Sequence, residues 1–252
     1  MPNSIEWTLP PAQWDAQGGG HLQGSPLDGK TGVNPQDGRS YGTKMSNRPV
    51  ILGSQLYDYR WLHDYPRGKP ENIWGDFSQW GADNCLAIAV IKLAMMQFGK
   101  SPLDVFKSVK ETADGFQIVL RNGESTYLSR EELKQAAAAA GFKGEDPTTL
   151  LYANFLFAVS AKRYLEAGYG TYSQALKVLC SGGSSAEYAF RRLGLWEQVE
   201  PVSIHELVNG RMGMFQSGSH IEFAADGHEE RWGKKGGTPP TTSIYQAYAF
   251  KP

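Results

Sequence analysis

Cysteine is scarce: Cys85 and Cys180 are the only two in 252 residues. They form no CxxC pair and sit in unrelated settings, which argues against a disulfide framework and a thiolate zinc site. A single Cys85–Cys180 bridge stays open. Excess charge of either sign is missing as well. Lys and Arg number 25 against 26 Asp and Glu, and no basic stripe stands out that could neutralise successive phosphates, so nucleic acid is not an expected partner. No apolar run approaches the roughly 20 residues that cross a bilayer, and Met1 to Pro10 lacks the charged start and apolar core of a signal peptide. No membrane span is expected, and cytoplasmic synthesis is.

What is present is core material. Hydrophobic residues make up 40% of the chain and aromatics 12%, ample apolar surface to offset the entropy of ordering a globular fold. Residues 1–50 add little to it. They are rich in Gly, Pro, Asn, Asp and Ser, including Gly18-Gly19-Gly20 and Asp28-Gly29, without a sustained period, and read as a flexible arm or linker. Residues 51–252 read as the folded core.

Within that core the period is first helical. Leu86 to Phe98 is apolar almost all round and stops at Gly99, the pattern of a buried helix, with Cys85 in its first turn and Asp83 or Asn84 before it as caps. Phe116 to Leu120 and Ser125 to Leu128 flank Asn122-Gly123, a hairpin signal. Ser129 and Glu132 form a capping box for a helix over Arg130 to Ala140, stopped by Gly141. Thr148 to Ala167 is the longest helical stretch, and shorter helices are expected over Tyr172 to Leu179, Ala186 to Leu193 and Ile204 to Val208. The last third changes to strands: Met212 to Ala225, Glu229 to Trp232 and Ser243 to Phe250, the first two joined at Asp226-Gly227. Helices first and strands last is an α+β order.

A thiol at a helix N-terminus faces partial positive charge that favours thiolate, so the placement of Cys85 predicts a lowered pKa. Gln79 lies six residues earlier, near enough to fold back and aim an amide at an oxyanion forming beside the sulfur. Taken alone, Cys85 is equally one more small apolar helix residue. Cys180 ends a helix and reads as structural. Of five histidines, His220 follows Gly218-Ser219 and opens a strand, where its ring could project into a cleft and serve as base. His228 is second choice; His21, His63 and His205 have less to recommend them.

These segments together resemble the calpains and other papain-like cysteine peptidases. Gln79 to Cys85 is similar to their Gln-Gly-x-x-x-x-Cys entry. Leu151-Tyr152-Ala153-Asn154-Phe155 through Lys162, then Gly170-Thr171-Tyr172, Ser181-Gly182-Gly183 and Phe190-Arg191-Arg192-Leu193-Gly194, resemble the calpain core in order, and Gly218-Ser219-His220 falls where that family has its histidine strand. The likeness runs over roughly residues 70 to 250, with Leu86 where calpains carry Trp and Trp80 in place of the glycine. It implies a papain-like α+β fold with a helical lobe and an antiparallel sheet lobe. Cys85 would be the nucleophile, His220 the base and Gln79 the oxyanion donor. Implied is a cysteine-type peptidase acting on a protein substrate through a thioester, with no cofactor and no metal, since the calpain calcium ligands do not map. The same constellation serves deamidases and acyltransferases, and a catalytically inactive binding module is the alternative of another class. A flexible arm without a signal peptide would suit an effector delivered into another cell.

The family's Asn-Pro-Trp segment is absent, which leaves the third group open among Asp226, Glu229, Glu230 and Gln246. A two-residue turn at Asp226-Gly227 sets Ala225 opposite His228 and brings Glu229 or Glu230 within a few residues of His220. Asp226, at the tip, would need a wider loop to reach back, and Gln246 reaches only if the last strand pairs alongside His220; Glu230 or Gln246 is the expected orienter.

Overall fold

The computed structural model describes residues 51–55 and 66–252, all in one compact unit. The arm read over residues 1–50, like His21 and His63, lies outside the described residues. The first half of the core is mainly helical. After β1 (Ile51–Leu52) come α1 (Cys85–Phe98), α2 (Pro102–Val105), and a three-stranded antiparallel sheet of β2 (Ser108–Glu111), β3 (Gly115–Val119) and β4 (Ser125–Ser129). There follow α3 (Arg130–Ala140), β5 (Lys143–Gly144), α4 (Pro147–Glu166), α5 (Tyr172–Leu179) and α6 (Ala186–Arg192). The local signals are where chemistry demands them. Ser129 and Glu132 make the reciprocal capping box of α3, and Gly141 ends it at φ 59°, a left-handed position that glycine adopts without penalty.

The second half is sheet. β6 (Val199–Pro201), α7 (Ile204–Val208), β7 (Gly213–Ser217), β8 (His220–Ala225), β9 (His228–Arg231), β10 (Lys234–Lys235) and β11 (Ile244–Phe250) follow in order. The six strands pair antiparallel as β10-β9-β8-β7-β11-β6. The architecture is thus α+β, helices first and antiparallel strands last. One expected strand was too long: Met212 to Ala225 turns back at Gly218-Ser219, so that Ser217 pairs with His220. The Asp226-Gly227 turn, with φ 52° and 75°, sets Ala225 opposite His228 and Ala224 opposite Glu229, the register the turn type dictates.

The sheet is buried on both faces. Met214, Phe223, Ala225 and Phe250 join the main core with α1 and α4, whereas Phe215, Ala224 and Ala247 pack with Ile204 and Leu207 of α7. Trp74, just ahead of the site segment, meets Phe223 with ring centroids 5.9 Å apart. Helix α1 packs on β8, and in the middle of its apolar surface lies Lys92, fully buried. Its Nζ donates to the carbonyls of Ile73 (2.7 Å) and Trp74 (3.2 Å) and lies 3.6 Å from Glu230 Oε1. Burial pulls the ammonium pKa down, and Glu230 and Asp76 act against that.

Removing the head group leaves two buried carbonyls and a buried carboxylate without it. Lys92→Met is therefore expected to lower stability by about 3–5 kcal/mol, measured by urea unfolding. A loss under about 1 kcal/mol would show that the strut carries little of the fold.

Candidate active site

Gln79, Cys85 and His220 line one pocket, together with Ile88, Ala89, Ile221, Phe223, Glu230 and Trp232. Cys85 opens α1, but the expected cap is not formed there. Asn84 holds the N-cap position without a side-chain bond to the helix; its buried Nδ2 donates instead to Ala140 O at the end of α3, 2.6 Å away. First-turn amides consequently stay available to the sulfur. The backbone N–H groups of Ile221, Leu86 and Cys85 itself all act to favour its thiolate.

These amides do not win. Burial pushes the Cys85 thiol above its ordinary range, the backbone bonds work against that, and the charge of Asp83 adds to the rise. The expectation of a lowered pKa is corrected: desolvation of the anion outweighs the helix start. Cys180 is pushed further, to about 11, also by burial. Its Sγ lies 3.3 Å from Ala139 O. Both thiols are free, so no bridge joins them.

Gln79 Nε2 donates to Ala82 O at 2.5 Å, a bond that folds the 79–82 loop and fixes the amide beside Cys85. An amide nitrogen has a second N–H, which is the one an oxyanion could take. His220 is the first residue of β8. Trp232 stacks on it, rings 5.2 Å apart and 25° from parallel. Trp232 holds φ at 52°, a strained value for a bulky residue, which marks positions held for a purpose. His228 is elsewhere, its Nδ1 3.2 Å from Gly236 O, and His205 is exposed on α7.

Set against protein-family models, curated proteins and solved structures, the chain matches none. The site must speak through its own geometry.

Of the four groups considered as partners of His220, the structure places two away from it. Asp226 is exposed at the far tip of the β8–β9 hairpin. Gln246 bonds Gln216 at 2.6 Å, because β7 lies between β8 and β11. Glu229 turns to Arg231, 3.4 Å from its Nε. Glu230 does line the pocket, yet its Oε1 accepts the Gly233 amide at 2.6 Å and faces Lys92. A carboxylate near the ring that the sequence reading passed over is Glu222, whose Oε1 lies 3.7 Å from His220 Nε2. Its signal was available, since residues i and i+2 of a strand share a face.

The raised thiol gives a signed prediction. An acid with elevated pKa holds less thiolate at neutral pH than free cysteine, so alkylation of Cys85 by iodoacetamide should climb through the alkaline range. It should also stay ahead of Cys180. Peptide mapping by mass spectrometry follows both; a Cys85 rate already at plateau below pH 7 would mean a resting thiolate and refute the effect of burial.

Proposed function

We propose that this chain is a cysteine hydrolase with a papain-like site, most simply a peptidase cleaving a protein substrate. The observation that carries the reading is the convergence of Gln79, Cys85 and His220 on one pocket, although 135 residues separate the thiol from the imidazole. A nucleophile, a base and an amide donor within one cleft are the parts acyl transfer requires. The resemblance to the calpains supports the same assignment and the two-lobed fold that goes with it.

In this reading the thiol rests protonated. On binding of an acyl substrate, His220 takes the Sγ proton as sulfur attacks the carbonyl carbon, and the oxyanion is met by Gln79 and first-turn amides of α1. Collapse expels the amine, which leaves with the proton from His220, and a thioester remains on Cys85. Water, deprotonated by His220, resolves it to a free acid and restores the thiol. A different final nucleophile would make the same site an acyltransferase, and a side-chain amide as substrate would make it a deamidase.

One observation favours a second reading, that of an inactive binding module: the thiol pKa is raised and not lowered. An epoxide that alkylates papain-like cysteines irreversibly separates the two. Stoichiometric modification of Cys85 with Cys180 untouched is the outcome expected of an enzyme, and no modification of the folded chain would favour the module. With fluorescein-labelled casein as substrate, Cys85→Ala is expected to abolish turnover. Gln79→Ala should reduce kcat on the order of 100-fold with an unchanged Tm. Full turnover by a clean Cys85→Ala protein would end the cysteine reading.

A further inference from the structure

On the far side of His220 from α1 the sheet holds a buried charge cluster that the reading above does not use. Glu222, Glu229 and Arg231 are each about 2% exposed. Arg231 bonds Glu222 through Nη1 and approaches Glu229 through Nε. Such a group is costly to bury and seldom adds net stability over an apolar replacement. Its position is what distinguishes it: the Glu222 carboxylate stands 3.7 Å from His220 Nε2, on the same strand face two residues along, while the pocket with Cys85 opens at the same ring.

We propose that Glu222 is the positioning carboxylate of His220, aimed by Arg231. The proposal rests on the cysteine-hydrolase reading and names its third side chain. Across 3.7 Å the carboxylate charge favours the proton on Nε2, which leaves Nδ1 unprotonated for the Cys85 thiol, and the imidazolium formed during attack gains a counter-charge. Arg231 supplies a positive charge beside the buried carboxylate and bonds the same Oε1 that faces the ring, which fixes that oxygen in place. Glu229, with its Oε1 3.4 Å from Nε, sets a second carboxylate beside the guanidinium. Contacts that begin slightly long at rest and shorten as charge develops are the ordinary behaviour of catalytic hydrogen bonds.

The test uses the full chain, labelled casein and two substitutions. Glu222→Ala should lower kcat by about 10–100-fold with KM changed less than about threefold, and Glu222→Gln, which still accepts a hydrogen bond but carries no charge, should recover part of that loss. The second readout is the pair of ring nitrogen shifts of His220 in a ¹⁵N spectrum. A proton on Nε2 is expected in the parent and in Glu222→Gln, and a mixture of tautomers in Glu222→Ala. Should Glu222→Ala fail to fold, the parent spectrum and Glu222→Gln still decide. Unchanged kcat in folded variants overturns the proposal, and so do a proton on Nδ1 in the parent or a loss of kcat without change in tautomer. Cys85→Ala is run alongside: turnover retained there sinks the cysteine reading itself, whereas turnover lost there but kept in both Glu222 variants sinks only the assignment of Glu222.

Discussion

A single ammonium group, that of Lys92, sits where the three pieces of the site meet. It projects from α1, two helical turns below Cys85, into the carbonyls of Ile73 and Trp74 and toward Glu230 of β9. The first of these pieces carries the thiol, the second runs on to Gln79, and the third bears the turn that covers His220. An apolar side chain of similar size could fill the volume, but it could not hold carbonyls and a carboxylate from separate segments at fixed distances. Phe77 lies beneath the same ammonium at 5.0 Å, so the charge is also bounded by a ring face. The geometry of the pocket therefore depends on a polar contact buried within an otherwise apolar helix interface.

The same burial decides the state of the thiol. Helix start, nearby amides and an absent cap all favour thiolate, and sequence alone can see most of these. Exclusion of water acts in the other direction, and it prevails. A neutral thiol is less exposed to adventitious alkylation and oxidation than a standing thiolate, and on the proposed reading a bound acyl group would offer the developing charge somewhere to go. On the cysteine-hydrolase reading proposed above, activation would belong to the encounter with substrate and not to the resting site.

What could be read beforehand follows the range of the physics involved. The capping box at Ser129, the stops at Gly99 and Gly141, and the Asp226-Gly227 register are set by residues within a few positions of one another, and each is where expected. The break at Gly218-Ser219 was missed because a Gly-Ser pair interrupts an apolar run less visibly than Asn-Gly. Strands β2 and β6 were missed because each is short, its place secured by the neighbouring strand and not by its own pattern. The partners of His220 were sought beyond the histidine, on β9 and β11, when period two alone puts Glu222 beside it. The apolar run after Cys85 already signalled a buried helix; the part of the burial that could not be read locally comes from β8, whose His220, Ile221 and Phe223 line the same pocket far downstream in sequence.

The pocket's other wall shows how closely the two halves are fitted. Gly233 stands at φ 84°, and a Cβ there would come within 2.9 Å of Ser78 Oγ. Its own amide is taken by Glu230, so the turn after β9 is pressed against the residue immediately before Gln79. Trp232, held over His220 in a left-handed conformation, is the preceding residue in that turn. The segment that presents the amide donor and the segment that covers the imidazole thus share one contact, made at a position where only glycine fits. Movement of either would be felt by both, which ties the two sides of the cleft to the same few atoms that Lys92 anchors from below.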